Sequence, residues 1–128
     1  MKETELIRSQ AHIGIPTEDM ERSRAFYESL GFRLSESARQ TNGRPVIFME
    51  QAGTVLEIYE HEAVKCAGAI DHIAFETEDI EDAYARILKL GYETAEGRIM
   101  FMDLGPRQLK YFTVKGPFGE KIEFCSNV

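Results

Sequence analysis

Two histidines stand at equivalent points of an internal repeat in this chain. Residues 11–32 and 71–92 align without a gap, and nine of the 22 aligned positions are identical. Average residue usage would give roughly one or two identities by chance. The alignment pairs His12 with His72. Because an internal repeat of this length indicates two copies of one structural unit, we expect both imidazoles to occupy the same place in their units.

A second register pairs two glutamates in the same way. Gly53–Ile58 aligns with Gly119–Phe124 at a shift of 66 residues instead of 60, and this alignment places Glu57 over Glu123. The difference between the two shifts requires six additional residues in the second copy. We predict this insertion around Asp103–Arg107.

These histidines and glutamates have apolar neighbours in the chain: Ile13 beside His12, Ile73 beside His72, Leu56 and Ile58 around Glu57, and Ile122 and Phe124 around Glu123. Successive side chains of a strand point to opposite faces, so the four polar groups are predicted on the face that does not pack against a helix. Taken singly, each also fits the solvated face of an ordinary antiparallel sheet. Their recurrence as two matched pairs favours a shared site instead.

A set of two imidazole nitrogens and two carboxylates suits a divalent cation of intermediate softness: Ni, Zn, Co, Mn or Fe. If two sheets curl toward each other, the four side chains would converge in a cavity, with the small residues Gly14 and Ala74 leaving room for a ligand. Four protein ligands around an octahedral ion leave two positions for water or substrate, as in a catalytic site. We therefore predict His12, Glu57, His72 and Glu123 as the ligands of one metal ion.

The elements that must position these residues follow the same order in each half: a strand, a helix and three strands. Helix caps are predicted at Thr17–Asp19 and Asp79, and the glycines Gly31 and Gly91 end the helices. The predicted strands are Ala11–Ile15, Phe32–Ala38, Pro45–Glu50 and Thr54–Tyr59, then Ile70–Phe75, Thr94–Met102, Gln108–Lys115 and Glu120–Cys125.

The predicted fold class is α+β, with two tandem βαβββ units forming a curved mixed sheet around a metal-binding cavity. We expect residues 1–128 to be a single domain, with a first unit at about 10–60, a linker at 61–69 and a second unit at about 70–126. Tyr59 and Cys125 share the predicted cavity face, where they either line the pocket or simply pack as its wall.

Composition excludes several classes of partner. The chain has 128 residues, 43% of them hydrophobic, and a net charge of −7, which is ordinary for a globular domain and disfavours nucleic acid and anionic membrane surfaces. No apolar run approaches the length of a transmembrane span. The first residues lack the apolar core of a secretory signal, and Cys66 and Cys125 form neither a disulfide framework nor a CxxC metal motif. We expect a cytoplasmic protein with free thiols.

Three segments, Ser23–Phe32, Asp71–Phe75 and Gly116–Phe124, resemble motifs of the vicinal oxygen chelate superfamily. The resemblance extends over residues 10 to 126, with Gly116 in place of the aspartate usual in the last motif. This superfamily includes glyoxalase I (lactoylglutathione lyase), methylmalonyl-CoA epimerase, extradiol dioxygenases, and fosfomycin and bleomycin resistance proteins. Duplicated βαβββ units, with a histidine on each first strand and a glutamate on each fourth, are typical of it.

Within this superfamily, the complete two-histidine, two-glutamate set resembles that of bacterial glyoxalase I. Dioxygenases and fosfomycin enzymes use two histidines and one glutamate, bleomycin-binding proteins generally lack the ligands, and the epimerase typically has glutamine at the position of Glu57. The resemblance implies a metal-dependent lyase or isomerase that moves a proton next to a carbonyl through an enediolate. By the same resemblance, Glu123 is the general base, while Glu57 remains a ligand or handles the second proton transfer. A homodimer is also implied.

The chain departs from glyoxalase I at three positions that contact the glutathione carboxylates there. Pro16, His61 and Gly68 stand where glyoxalase I has arginine, asparagine and arginine, and none of them can make those contacts. The expected substrate is therefore another thiol adduct, an α-hydroxycarbonyl compound or a CoA-linked acid. A methylmalonyl-CoA epimerase-like enzyme and a non-catalytic protein that binds a small molecule for resistance remain alternatives.

Overall fold

The computed structural model describes residues 9–66, 68 and 70–128, and it contains eight strands and two helices in the predicted order. The first half has β1 (Ile13–Thr17), α1 (Met20–Ser29), β2 (Arg33–Arg39), β3 (Pro45–Gln51) and β4 (Thr54–Glu60). The second half has β5 (Ile73–Glu76), α2 (Ile80–Lys89), β6 (Met100–Asp103), β7 (Gln108–Lys115) and β8 (Lys121–Asn127).

These elements form two compact units, with the boundary between Glu62 and Ala63. Each unit has the order βαβββ, which confirms the prediction of an α+β fold built from two tandem units. The predicted linker 61–69 contains Ala67 and Ala69, which lie outside the described residues. Within the described part of the chain, no helix is long and apolar enough to cross a membrane.

The first unit is a four-stranded mixed sheet in the order β1-β4-β3-β2. Only the β1–β4 pair is parallel, as the crossover through α1 requires. Buried residues alternate along β4, where Leu56 and Ile58 are completely buried, and β3 contributes Met49, which is also completely buried. Phe26 and Tyr27 of α1 are buried too. One sheet face and one helix stripe therefore make the core, which leaves the opposite face of β1 and β4 for other contacts.

Helix α1 is fixed at both ends by residues that the sequence indicated. The Asp19 side chain caps it by accepting a hydrogen bond from the Arg22 amide, and Gly31 ends it with a left-handed φ of 99°. Inside, the hydroxyls of Thr17 and Ser23 are fully buried and lie 2.7 Å apart. This hydrogen bond joins the last residue of β1 to the helix, so the angle at which the chain leaves the strand is fixed.

The second unit repeats the arrangement, with strand order β5-β8-β7-β6 and a parallel β5–β8 pair. Asp79 caps α2 by accepting from the Asp82 amide. The core contains Phe112, which is fully buried, stacked on Phe124 and met edge-on by Tyr84, with 5.2 Å between ring centroids in each case. Packing against these rings fixes β7 and β8, the strands on which Thr113 and Glu123 stand.

The strand predicted at Thr94–Met102 is wrong over its first six residues, because β6 begins only at Met100. Thr94 forms an isolated bridge with Val114, and the chain then turns through Gly97 with a left-handed φ of 71°. The amide of Thr113 donates to the Glu96 carboxylate at 2.8 Å. The Glu96 side chain thus accepts the hydrogen bond of a backbone amide that would otherwise pair with a neighbouring strand.

The six additional residues of the second unit are divided among several places. When the paired residues of the two sheets are aligned from β4 and β8 outward, the pair Phe101–Lys110 of the second unit corresponds to the pair Arg39–Pro45 of the first. Eight residues separate the first pair along the chain and five separate the second. The β6–β7 hairpin therefore contains three of the six. The predicted position, Asp103–Arg107, is right for half of the insertion, and the rest lies before β6 and in the turn before β8.

Candidate functional site

The first predicted pair meets at the junction of β1 and β4. Parallel pairing places Gly14 opposite Glu57, and His12 precedes Gly14 by two residues on the same face. The His12 Nε2 atom lies 3.5 Å from Glu57 Oε2, and the two side chains are 42% and 29% exposed. Both groups are held close together by the strand register, and both remain accessible to a ligand.

The second pair has the equivalent geometry in the other unit. Ala74 lies opposite Glu123 in the β5–β8 register, and His72 Nε2 is 3.8 Å from Glu123 Oε1. Glu123 is the less exposed of the two glutamates, with 17% of its side chain accessible compared with 29% for Glu57. The structure thus places a histidine beside a glutamate twice, at the positions that the repeat predicted.

The ring of His72 has a second partner that the sequence reasoning missed. Its Nδ1 atom lies 3.0 Å from Asp71 Oδ2, and Asp71 also accepts a hydrogen bond from Lys121 Nζ at 3.2 Å. The hydrogen bonds from His72 and Lys121 lower the pKa of Asp71 below its usual value. A carboxylate on one ring nitrogen leaves the other nitrogen directed at Glu123, an arrangement common behind metal-binding histidines. The sequence feature that could have indicated this partner is the aspartate directly before His72.

Unit 1 surrounds its pair with aromatic rings instead. Phe48 lies opposite Glu57 on β3 and meets the His12 ring edge-on, with centroids 5.8 Å apart. Tyr59 lies beside Gly14, where an added Cβ atom would come 3.5 Å from Tyr59 Cε1. The strands therefore place a flat aromatic surface next to the first histidine and glutamate.

Unit 2 has smaller and more polar residues at the corresponding places. Thr113 lies opposite Glu123 on β7, and Cys125 follows two residues later on the same face. Burial raises the pKa of the Cys125 thiol, and the Glu123 charge raises it further. A raised pKa keeps the thiol protonated and a poor nucleophile, which favours the prediction that Cys125 packs as part of the wall.

Burial is also the main influence on Glu123. Desolvation raises the pKa of its carboxyl, the His72 ring opposes that rise, and the charge of Glu96 adds to it. A carboxylate with a raised pKa is a stronger base than an exposed one, so Glu123 has the character that proton abstraction requires.

The donor chemistry of each pair fits half of a metal site. Ligands next to each other around an octahedral ion, each at about 2.1 Å, are separated by about 3 Å. The N···O distances of 3.5 Å and 3.8 Å are within an ångström of that value. Among the described residues, no group of three or more His, Cys, Asp or Glu side chains is arranged to hold a metal ion. Within each unit, the structure places one predicted histidine beside one predicted glutamate.

Comparison with known proteins decides the family. A model of the Glyoxalase/Bleomycin resistance protein/Dioxygenase superfamily matches residues 9–124. The chain belongs to this superfamily. It is also 31% identical over 120 residues to the uncharacterized protein YwbC of Bacillus subtilis (strain 168), a match that covers 88% of this chain and 93% of that protein.

Solved structures of other proteins share the fold. A glyoxalase family protein from Enterococcus faecalis is similar with a TM-score of 0.76 and 20% identity, covering 94% of this chain and 99% of that one. The fosfomycin resistance protein FosX from Listeria monocytogenes, in a complex with Mn(II) and sulfate ion, is similar with a TM-score of 0.74 and 18% identity over 96% and 95% of the two chains. At this level of identity the likeness extends to the architecture alone.

Proposed function

We propose that this protein is a metal-dependent, glyoxalase I-like lyase or isomerase that transfers a proton next to a carbonyl group. In this proposal His12, Glu57, His72 and Glu123 hold one divalent cation, drawn from Ni, Zn, Co, Mn and Fe. The observation that carries it is the recurrence of one pairing in both units, at 3.5 Å in the first and 3.8 Å in the second. Superfamily membership supports it, since FosX binds Mn(II) on the same fold.

A divalent cation bound by these residues would supply Lewis acidity, which stabilises negative charge on a neighbouring carbonyl oxygen. Each histidine would contribute its Nε2 atom, and each glutamate a carboxylate oxygen. The proposal holds whether the two pairs belong to one chain or to the two chains of a homodimer, which the family resemblance predicts.

Glu123 is the proposed general base. Its carboxyl is the more buried of the two and its pKa is raised by desolvation, so it accepts a proton from carbon more readily than an exposed glutamate would. In an α-hydroxycarbonyl compound, the proton leaves the hydroxyl-bearing carbon, the C–H electron pair forms a carbon–carbon double bond, and the carbonyl π pair moves onto oxygen to give an enediolate. The proton then returns to the former carbonyl carbon, and the hydroxyl proton moves to the other oxygen, which leaves the carbonyl on the first carbon. Glu57, at 29% exposure, remains a ligand or makes the second transfer.

The proposed substrate is a small molecule that lacks the carboxylate pattern of glutathione. Pro16 lies in β1 opposite Tyr59. The His61 ring lies near Tyr59, with ring centroids 6.1 Å apart, and its Nδ1 atom is 3.0 Å from the Glu62 carbonyl oxygen. Neither offers the fixed cation or amide that glyoxalase I uses, and Gly68 has no side chain. Another thiol adduct or an α-hydroxycarbonyl compound therefore fits better than the glutathione adduct.

Proton exchange with solvent tests this proposal whatever the product of the reaction is. Metal-loaded protein is incubated in D₂O with adducts of methylglyoxal and several thiols, then with 2-methylmalonyl-type thioesters, and loss of the α-proton signal is followed by NMR. We expect exchange with at least one compound, weak or no exchange with the glutathione adduct, and a loss of about 100-fold or more in Glu123→Gln. Metal binding with no exchange of any compound would favour the non-catalytic binding protein instead.

A further inference from the structure

Glu96 lies outside the predicted ligand set, yet the fold directs it toward the second pair. It stands in the irregular segment between Thr94 and β6, where the positive φ of Gly97 turns the chain. Its carboxylate accepts two hydrogen bonds from Thr113, one from the backbone amide and one from Oγ1, both at 2.8 Å. Two bonds to one residue hold the carboxylate in a single orientation.

This clamp lies directly beside Glu123. Thr113 is the residue that β7 places opposite Glu123 on β8, and residues directly opposite each other in a sheet share a face. Glu96 is bonded to the Thr113 side chain, so its charge lies on the same face as Glu123. The electrostatic influence of Glu96 on Glu123, which raises the pKa of the latter, agrees with this placement.

The two carboxylates have little positive charge to offset them. Within the part of the chain that the structure describes, no lysine or arginine lies within ion-pair distance of Glu96 or Glu123, and the ion-pair partner of Glu123 is His72 at 3.8 Å. The neighbouring cation Lys121 is paired with Asp71 instead. Two negative groups without a nearby cation produce a local potential that attracts a divalent ion.

Among the described residues of the first unit, no side chain makes an equivalent clamp beside Glu57. Where Thr113 stands opposite Glu123, unit 1 has Phe48 opposite Glu57, and the Phe48 ring packs against His12. The phenylalanine has neither hydroxyl nor charge to offer there. The two pairs therefore resemble each other in their ligands but differ in the groups behind them.

We propose that Glu96, clamped by Thr113, is a positioning residue that strengthens divalent-cation binding by the His72–Glu123 pair. The inference rests on the proposed function, because it takes that pair as part of a metal site. Glu96 acts in two ways: its charge adds to the attraction for the cation, and its bonds to Thr113 fix β7 beside Glu123. It does not touch the cation.

Calorimetric titration of the full-length, metal-free protein with MnCl₂ tests the inference by affinity, without any substrate. We expect Glu96→Gln to weaken Mn²⁺ binding about tenfold, the lower range for residues that support metal ligands. Glu93→Gln serves as the matched control, because Glu93 is exposed and lies three residues earlier, and its substitution removes the same charge. This control should bind Mn²⁺ as the parent does.

Variants at Thr113 separate the clamp from the charge. Thr113→Val removes the hydroxyl but keeps both carboxylates, and we expect a weakening of a few-fold; Thr113→Ser restores the hydroxyl and should recover parental affinity. Circular dichroism and thermal unfolding of the metal-free variants show whether each folds.

His72→Ala distinguishes failure of the inference from failure of the proposed function. If His72→Ala loses Mn²⁺ binding while a folded Glu96→Gln binds as tightly as the parent, Glu96 has no role and the metal site stands. If His72→Ala binds Mn²⁺ like the parent, the metal site itself is refuted, and the inference is refuted with it.

Discussion

His72 lies 3.8 Å from Glu123 across the parallel pairing of β5 and β8, and the relation repeats that of His12 to Glu57 in the other unit. Neither histidine is in regular strand structure, since each comes just before its strand begins. Their positions depend instead on the register that sets Gly14 opposite Glu57 and Ala74 opposite Glu123. A duplicated strand register is thus sufficient to place the same two groups together twice.

The raised pKa of Glu123 makes a prediction about stability. A carboxyl whose pKa is higher in the folded state stabilises the fold below its unfolded pKa and loses that contribution as pH rises through the folded value. In chelator-treated protein we therefore expect Glu123→Gln to unfold at a higher temperature than the parent near neutral pH, with the difference shrinking toward about pH 4. Thermal unfolding across this pH range measures it.

Glu93→Gln controls for the change in net charge in that experiment. The explanation by burial fails if Glu123→Gln melts below the parent at neutral pH, or if the difference between the two is the same at both ends of the pH range. If Glu123 lowers stability at neutral pH, a functional role explains why a carboxylate stands at this position.

The buried hydroxyl pair of unit 1 makes a second prediction. Thr17→Val leaves the fully buried Ser23 Oγ without its hydroxyl partner and removes the acceptor of the Asp19 amide, which lies 3.1 Å from Thr17 Oγ1. We expect a loss of about 1–3 kcal/mol in the free energy of unfolding, measured by urea denaturation. Thr77→Val is the matched control, because the repeat places Ala83, which has no hydroxyl, where Ser23 stands. Equal losses in the two variants would show that the hydrogen bond contributes nothing.

The aromatic core of unit 2 makes a third prediction. Phe112 is fully buried between Phe124 and Tyr84, so Phe112→Ala should reduce the free energy of unfolding by about 3–5 kcal/mol. Phe101→Ala removes the same ring from a side chain that is 59% exposed, and it should change stability by roughly 0.5 kcal/mol or less. Denaturant titration of both variants measures the contrast, and a similar cost at the two positions would contradict the assignment of the core.

Much of the fold was predictable because the signals are local. Helix α1 begins at a capping aspartate and ends before a glycine with positive φ, and alternating apolar residues mark β4. The repeat then predicts the same order of elements in the second half as in the first. It also located both histidine–glutamate pairs, since residues at equivalent positions of two copies adopt equivalent places.

The errors arose where distant residues decide the conformation. Nothing near Glu96 in the sequence indicates that its side chain accepts a hydrogen bond from the amide of Thr113, 17 residues later. This bond takes the place of strand pairing at Thr113. The division of the insertion was hidden for the same reason, because it depends on which residues of β6 and β7 face each other. The sequence shows that Asp71 precedes His72, but the contact between their side chains is seen only in the structure.

Metal analysis of the purified protein tests the central claim most directly. Protein prepared without chelator is analysed by inductively coupled plasma mass spectrometry, together with His12→Ala and His72→Ala. We predict about one divalent metal ion per chain in the parent and a loss of most of it in each variant, because both pairs contribute to one site. An absence of stoichiometric metal in the parent, or a His12→Ala protein that retains as much metal as the parent, would contradict the account.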